Sequence, residues 1–123
     1  MWPFFSYLQV LCMIFSESLK KNRDFRTVYK NGRPRANKYL VMYIMENHQE
    51  KNRLGISVSK KVGNSVVRHR ITRLIRESYR LHENIFDSGL DIVVVARSCA
   101  AEVSYREIES AMLHLGKLHK ILR

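Results

Sequence analysis

The segment from Lys60 to Arg80 combines an apolar stripe of helical period with a dense block of positive charge. It reads KKVGNSVVRHRITRLIRESYR and carries seven Lys or Arg and one acidic residue, a net +6 of the chain's +11. Asn64 or Ser65 can cap a helix that begins after Gly63 and runs to about Leu81. One face of that helix is suited to burial on a sheet, and it comprises Val67, Ile71, Leu74, Ile75 and Ser78.

The opposite side of the predicted helix is basic and calls for an anionic partner. Helical geometry groups four residues there and places two more on the flanks: His69, Arg73, Arg76 and Arg80, then Arg68 and Arg70. Like charges on neighbouring turns repel one another, so this surface destabilises the helix unless an anion neutralises it. With 22 Lys and Arg against 11 Asp and Glu, the chain is suited first to nucleic acid and then to an anionic membrane surface.

The length of 123 residues predicts one domain, preceded by an apolar stretch. We expect residues 1–16 to be an apolar extension and residues 17–123 to be the folded domain. The extension is shorter than the roughly 20 residues of a membrane-spanning helix, and it lacks the basic start and the cleavage site of a signal peptide. Met13 is an alternative start, in which case the residues before it are not native. Cys12 and Cys99 form no metal-ligand or disulfide pattern and are expected to be reduced thiols.

Upstream of the basic segment, LKKNRDFRTVYKNGR predicts a short helix. Asn22 or Asp24 can serve as its N-cap, and Asn31-Gly32 predicts a left-handed stop. Three residues at i, i+3 and i+4 share one face of this helix: Phe25, Val28 and Tyr29. That face either packs in the core or presents its two aromatic rings to a ligand, and the spacing alone leaves both interpretations open.

Three further segments read as strands and one as a helix. Alternating or continuous apolar residues predict strands over residues 37–46, 53–61 and 90–98. Ser104 and Glu107 form a capping box at the start of the last helix. The order helix, strand, strand, helix, strand, helix predicts an α+β fold, a small two-layer sandwich.

The residues that protein-based catalysis needs are not grouped in this sequence. The five histidines have no zinc spacing, no Gly-rich phosphate loop is present, and the acidic residues are spread along the chain. Nucleic-acid binding fits better, because arginine grips phosphate with two donors and stacks on bases. The helix start at Asn64–Val66 adds backbone donors for an anion. Phe25, Tyr29 and Tyr43 can stack the bases of a single strand.

The stretch GISVSKKVGNSVVRHRITRLIRESYR closely resembles the signature of the bacterial ribonuclease P protein subunit. A strand ending in Ser-Lys-Lys, a Gly-Asn turn and an arginine-rich helix follow one another as in that family. The likeness extends through LKKNRDFRTVYKNGR and ANKYLVMY upstream and DIVVVAR downstream, and it covers residues 19–122 in order and spacing. Two positions depart from the family pattern: His69 stands for the central Asn of an Arg-Asn-Arg motif, and Thr72 replaces a usually basic residue.

The resemblance implies a central, mostly antiparallel sheet with three helices and a left-handed βαβ crossover, a fold also found in a ribosomal protein domain. It implies an endoribonuclease whose catalyst is the RNA subunit with its magnesium ions, and whose protein assists by binding the 5′ leader of precursor tRNA. No catalytic or metal-ligating residue is then expected in the protein, which should be cytoplasmic and without a membrane partner. The implied leader-binding residues are Phe25, Tyr29, Asn37, Tyr43, Ser57 and Lys60. The implied contacts to the RNA subunit are Lys61, Asn64, Arg68, His69, Arg70, Arg73 and Arg76.

Two other functions remain open on the residues. A general basic RNA-binding or ribosomal protein would bind RNA without any role in tRNA processing. A self-sufficient nuclease would cleave without an RNA cofactor and would use His69 as a general base. Affinity alone does not separate these readings, because all of them predict strong salt dependence.

Overall fold

Five strands and three α-helices follow one another along residues 16–123, the part of the chain that this computed structural model describes. The strands are β1 (Ser16–Ser18), β2 (Arg33–Ala36), β3 (Leu40–Glu46), β4 (Asn52–Ser57) and β5 (Leu90–Ala96). The helices are α1 (Asn22–Asn31), α2 (Ser65–His82) and α3 (Tyr105–His119), with short 3₁₀ turns at Glu83–Ile85 and Ser98–Ala100. Apart from Ser16, the expected apolar extension and the alternative start at Met13 lie outside the described residues.

The strands form one mixed sheet in the order β1-β4-β5-β3-β2. The pairs β1–β4 and β4–β5 are parallel, and the pairs β5–β3 and β3–β2 are antiparallel. The expected α+β class with three helices is confirmed, and antiparallel pairing is the more extensive, because β3 pairs antiparallel with β5 along its whole length and also with β2. Two connections explain the parallel half: α2 carries the chain from β4 back to an adjacent parallel strand, and the N-terminal segment adds β1 beside β4. The left hand of the crossover stays a prediction.

The two strands at the edges of the sheet, β1 and β2, were not predicted from the sequence. All four residues of β2 are exposed, and one of them is Pro34. Proline and charged residues are typical of edge strands, which need only one hydrogen-bonded neighbour. Because β2 has no buried side, it has no alternating apolar pattern. Hydrophobic periodicity therefore does not predict its backbone pairing with β3.

The sheet and the helices α2 and α3 form the expected two-layer sandwich, and α1 covers part of the other face of the sheet. The main core lies between one face and the helices α2 and α3, and it includes Leu40, Met42 and Ile44 of β3. A smaller core on the other face packs Leu19, Val28 and Val93 beneath α1. The alternation of β3 is what permits this, because its second row of side chains, which includes Tyr43, is also largely apolar. Within residues 16–123, no helix is long and apolar enough to cross a membrane.

The two longer helices begin where the sequence predicts. The side chain of Asn64 accepts a hydrogen bond from the backbone N–H of Val67 and caps α2. Ser104 and Glu107 form the expected capping box of α3. In each case a polar side chain satisfies a backbone donor that the first helical turn leaves free.

The ends of α1 differ from the prediction. Lys21 occupies the N-cap position and offers no side-chain hydrogen bond, so neither Asn22 nor Asp24 caps the helix. Gly32 follows the helix in an extended conformation with φ −77°, and the expected left-handed stop is wrong. A β-carbon at position 32 would lie 2.5 Å from the carbonyl oxygen of Val28. Glycine is therefore needed there for close backbone approach as the chain turns into β2.

Candidate nucleic-acid interface

An open cavity of about 610 Å³ lies between α1 and the end of β4. We call it the aromatic cleft, and its lining residues are Asn22, Phe25, Arg26, Tyr29, Ile56, Ser57 and Val58. It lies on the α1 side of the sheet, where one short helix leaves part of the sheet uncovered. The cleft therefore combines apolar rings with a guanidinium group and hydroxyl groups.

Three aromatic rings are lined up from α1 to β3. The ring centroids of Phe25 and Tyr29 are 6.3 Å apart, and those of Tyr29 and Tyr43 are 5.0 Å apart. Val28, on the same helix, is fully buried and anchors α1 to the sheet. Tyr29 stays 38% exposed, and Phe25 and Tyr43 are partly buried. Both interpretations of this helix face therefore hold in part: Val28 belongs to the core, whereas Phe25 and Tyr29 line the cleft.

Gly55 of β4 makes the room that the Phe25 ring occupies. A β-carbon at position 55 would lie 2.7 Å from the ring carbon Cζ of Phe25 and 3.1 Å from Cδ2 of Leu19. Since Ser57 is two residues further along β4, it stands on the same face of the strand. The small side chains of this strand face thus form the floor of the cleft.

The structure brings four of the six sequence-predicted leader-binding residues together. Phe25, Tyr29 and Ser57 line the cleft, and Tyr43 adjoins it through its contact with Tyr29. Lys60 is exposed and follows shortly after Ser57, beyond the end of β4. It is placed near the rim by the chain rather than in the lining.

Asn37 is not part of this cleft. Its side-chain carbonyl accepts hydrogen bonds from the backbone N–H groups of Tyr39 and Leu40, and its amide donates to the carbonyl of Ala111 in α3 at 3.0 Å. Because α3 packs on the face opposite α1, Asn37 is held on the other side of the sheet. Asn37 therefore does not line the cleft, because its amide joins the β2–β3 connection to α3, and its role in leader binding stays a prediction.

Asn22 and Arg26 line the cleft but were missed as site residues. Together with Phe25 and Tyr29 they fall at i, i+3, i+4 and i+7, the spacing of one helix face. Helical spacing therefore contained the signal. Ile56 and Val58 were also missed, and both line the cleft while also packing against the main core.

The exposed side of α2 and the turn that precedes it form a second surface, which we call the arginine surface. It comprises the seven residues that the sequence assigned to RNA-subunit contact: Lys61, Asn64, Arg68, His69, Arg70, Arg73 and Arg76. Six of the seven are exposed, and Arg68 is half-buried. Among the described residues, His69, Arg73 and Arg76 have no hydrogen-bond or ion-pair partner. The buried side of α2 holds Ile71, Ile75, Ser78 and Tyr79, so the predicted division of this helix into two faces is confirmed.

Not every guanidinium group of α2 is equally available. Arg70 donates from Nη2 to the carbonyl of Val103 at 2.6 Å, and this bond joins α2 to the loop before α3. Arg80 pairs with Glu77 one turn away. The hydroxyl of Thr72 donates to the carbonyl of Arg68 at 2.9 Å, so the residue that departs from the family pattern makes a local bond.

The donor groups that a metal ion would need are not gathered in the part of the chain that the structure describes. Within residues 16–123, no group of three or more His, Cys, Asp or Glu side chains could hold a metal ion. Asp91, a buried carboxylate, is engaged by a two-point hydrogen bond from Arg53, at 2.8 and 2.6 Å. It serves the sheet, because Arg53 and Asp91 are register partners on β4 and β5.

The mixed sheet, the aromatic cleft and the arginine surface define a small basic α+β protein with two candidate surfaces for a polyanion. The sequence model of the Ribonuclease P family matches residues 13–120. The chain belongs to this family, and the resemblance seen in the sequence is confirmed.

Relatives and solved structures agree with this assignment. The "Ribonuclease P protein component" of Lachnoclostridium phytofermentans is 66% identical over 107 residues, covering 87% of this chain and 92% of that protein. The protein of the same name from Alkaliphilus metalliredigens is 54% identical over 107 residues, covering 87% and 96%. The Staphylococcus aureus RNase P protein superposes with a TM-score of 0.81 at 38% identity, over 88% of this chain and 99% of that one. The Thermotoga maritima RNase P protein gives 0.77 at 31% identity, over 83% and 96%.

Proposed function

We propose that this chain is the protein subunit of ribonuclease P and assists the endonucleolytic removal of the 5′ leader from precursor tRNA. The observation that carries the proposal is the pairing of two surfaces, an aromatic cleft and a helix whose exposed side is basic. Strand β4 ends at Ser57 in the cleft, and the chain runs through Lys60 and Lys61 directly into α2. A single-stranded leader in the cleft would thus lie close to an RNA held by α2.

The aromatic cleft is suited to a flexible single strand. Bases that are free of a duplex can stack on aromatic rings, at about 1–3 kcal/mol per base, with little dependence on sequence. Tyr29 offers the most exposed ring of the three, and Arg26 adds a cation for the phosphates that join the bases. Ser57 and Lys60 supply further donors near the rim. A leader of variable sequence needs this type of recognition.

The arginine surface is suited to a structured RNA, for which we propose the ribonuclease P RNA subunit. Guanidinium groups bind phosphate through two parallel hydrogen bonds, and each phosphate contact releases counterions. His69, Arg73 and Arg76 are free to make such contacts within the described structure, while Arg70 shares its donors with Val103. The N-terminus of α2 at Asn64 adds backbone donors. The repulsion among these cations is then relieved by the RNA.

Catalysis is assigned to the RNA subunit and its magnesium ions, and the protein is a subunit of the endoribonuclease without a catalytic side chain of its own. Magnesium prefers oxygen ligands and retains several waters, and phosphate oxygens of RNA can supply such ligands. The protein contributes by holding the substrate and by lowering the repulsion between two polyanions. We expect it to act in the cytoplasm, with the RNA subunit and precursor tRNA as its partners.

The test compares precursor tRNA with mature tRNA in the reconstituted complex. Tyr29→Ala removes one stacking ring and should weaken binding of precursor tRNA about tenfold, the equivalent of about 1.4 kcal/mol, within the range of one lost stack. Binding of mature tRNA should change less than twofold. Tyr105→Ala is the matched control, because Tyr105 is a half-buried tyrosine on α3, away from the cleft. Equal losses of affinity for both tRNAs would contradict the proposal that the leader binds in the cleft.

A further inference from the structure

A second group of basic side chains lies along the edge of the sheet formed by β2 and the adjoining side of α3. We call it the β2–α3 edge, and its members are Arg33, Arg35, Lys38, Arg97 and Arg106. All five are exposed. None of them forms an ion pair with another described residue. Neither the aromatic cleft nor the arginine surface includes any of these side chains.

The register of β2 fixes the direction of its two arginines. Arg33 stands opposite Ile44 and Arg35 opposite Met42, and directly paired residues share one face of a sheet. Ile44 and Met42 face the main core, on the α3 side. Arg33 and Arg35 therefore lie on the α3 side as well, where burial lowers the pKa of His119 in α3 and the two arginines lower it further.

The same edge continues into a groove of about 330 Å³ between the β2–β3 connection and α3. Lys38 and Arg106 line it from opposite walls, together with the hydroxyl-bearing Ser110 and with His114. Arg97 is joined to this region by a hydrogen bond of 2.8 Å from Nη1 to the carbonyl of Asn37. The basic edge is thus a row of side chains with a groove along it.

One carboxylate, that of Glu107, lies in this groove, and neighbouring residues of the fold already donate hydrogen bonds to it. Glu107 accepts hydrogen bonds from the backbone N–H of Ser104 and from the hydroxyl of Tyr39, the latter at 2.8 Å. These bonds hold the pKa of Glu107 below its ordinary value, first through Ser104 and then through Tyr39. With five cations and this one anion, the edge carries a formal charge of +4.

We propose that the β2–α3 edge is a further RNA-contact surface, which binds the phosphodiester backbone of an RNA segment that passes along the outside of β2. Five exposed cations that repel one another along one edge are complementary to regularly spaced phosphates. Arginine at two alternate positions of an edge strand gives two forks on one face, with about 6.6 Å between their backbone positions. The RNA is the ribonuclease P RNA subunit, because the edge lies on the same side of the sheet as α2 and its arginine surface, whereas the cleft lies on the α1 side; this choice rests on the function proposed above.

The experiment measures the salt dependence of binding with two charge-matched double variants. R33Q/R35Q removes two cations from the edge. K51Q/R123Q removes two exposed cations elsewhere, where Lys51 pairs with Glu17 and Arg123 with Asp87. Each variant is titrated with a bacterial ribonuclease P RNA and, separately, with a precursor tRNA, from about 50 to 200 mM salt.

R33Q/R35Q should weaken binding of the RNA subunit about tenfold and lower the slope of log affinity against log salt by about 1.4 to 1.8. K51Q/R123Q should lower the slope by less than half of that. A loss confined to precursor tRNA would overturn the assignment of the edge to the RNA subunit. Equal effects of the two double variants would overturn the proposal, because net charge alone would then explain them.

Two further measurements keep the outcome unambiguous. Arg33 and Arg35 lie beside the carboxyl end of α3, where cations also stabilise a helix, so K38Q/R106Q serves as a second edge variant away from that end. It should reproduce the loss of slope. Binding to vesicles that contain anionic lipid is measured separately. If the edge variants lost affinity only for the vesicles, the assignment of the edge to RNA would be overturned. If the wild-type protein bound RNA through the edge but failed to stimulate cleavage, the proposed function would fall while the edge remained.

Discussion

The ring of Tyr29 meets the ring of Tyr43 nearly edge-on, with 5.0 Å between the centroids and 74° between the planes. Tyr29 comes from α1 and Tyr43 from β3, so this contact joins the helix to the sheet at the cleft. Edge-to-face aromatic pairs contribute about 0.5–1.5 kcal/mol beyond the burial of their area. The pair positions a ring that remains available to a base, and it links the stability of α1 to the geometry of the cleft.

Substitutions at two neighbouring residues of α1 should have different effects on stability and on leader binding. Val28→Ala removes fully buried atoms and should lower the free energy of unfolding by about 2 kcal/mol. Tyr29→Ala should cost less than half of that, because Tyr29 is 38% exposed, yet it should weaken leader binding more. Denaturant unfolding and precursor-tRNA titration measure the two effects. The reverse order of the two stability losses would contradict the assignment of Val28 as the anchor.

Gly55→Ala should disturb the cleft from below. The added methyl group would lie 2.7 Å from the Phe25 ring, so the ring must move, at a cost of about 1–3 kcal/mol in stability. Preference for precursor over mature tRNA should fall, while affinity for the RNA subunit stays the same. In the double variant Gly55→Ala/Phe25→Leu the smaller side chain should restore part of the stability. Strictly additive losses would show that the two residues do not meet.

Arg70 and Arg73 should respond differently to the same substitution. Arg70→Gln breaks the 2.6 Å hydrogen bond to Val103 and should cost about 1 kcal/mol of stability. Arg73→Gln should leave the melting temperature unchanged and lower the salt slope of RNA-subunit binding by about 1. Thermal unfolding and salt-dependent titration distinguish them. A stability loss for Arg73→Gln that matched the loss for Arg70→Gln would contradict the free state of the Arg73 side chain.

His119 should make the folded protein sensitive to mild acid. Burial lowers the pKa of this histidine below its ordinary 6.5, Arg33 and Arg35 lower it further, and the hydrogen bond to the Met42 carbonyl partly opposes them. Between that lowered pKa and pH 6.5 the unfolded chain binds more protons than the folded one, so stability falls with falling pH. Stability is complete above about pH 6.5 and decreases below it.

The pH dependence of unfolding in denaturant tests this assignment. His119→Gln should flatten the curve between pH 5 and 7, although it also lowers stability at every pH by removing a buried contact. His48→Asn, a change at an exposed position in the turn after β3, should leave the curve as it is in the wild type. An unchanged slope in His119→Gln would contradict the assignment.

The elements that carry their own end signals were predictable from the sequence. Asn64 and the Ser104–Glu107 box mark the starts of α2 and α3 through side-chain hydrogen bonds that the sequence encodes locally. Edge strands β1 and β2 carry no such signal. Backbone pairing with β4, which is distant in sequence, holds β1 in place, and β2 has no alternating apolar pattern. The mixed direction of the sheet likewise depends on which strand each connection returns to.

The candidate site was predictable only in part. The spacing of Phe25 and Tyr29 places both rings on one helix face, but it cannot tell whether that face is covered. Gly55 and Tyr43 decide this, since they leave room for one ring and support the other. Asn37 lies outside the cleft, because its side chain accepts hydrogen bonds from the backbone two and three residues on, in the turn before β3.

Reconstitution with RNA tests the central claim most directly. The protein is mixed with a bacterial ribonuclease P RNA and labelled precursor tRNA at low magnesium, where the RNA alone is slow, and parallel reactions omit either the RNA or the protein. We predict cleavage at the mature 5′ end only when both are present. A protein that adds nothing would be a general RNA-binding protein. Cleavage by the protein alone would contradict the assignment of catalysis to the RNA and would direct attention to His69.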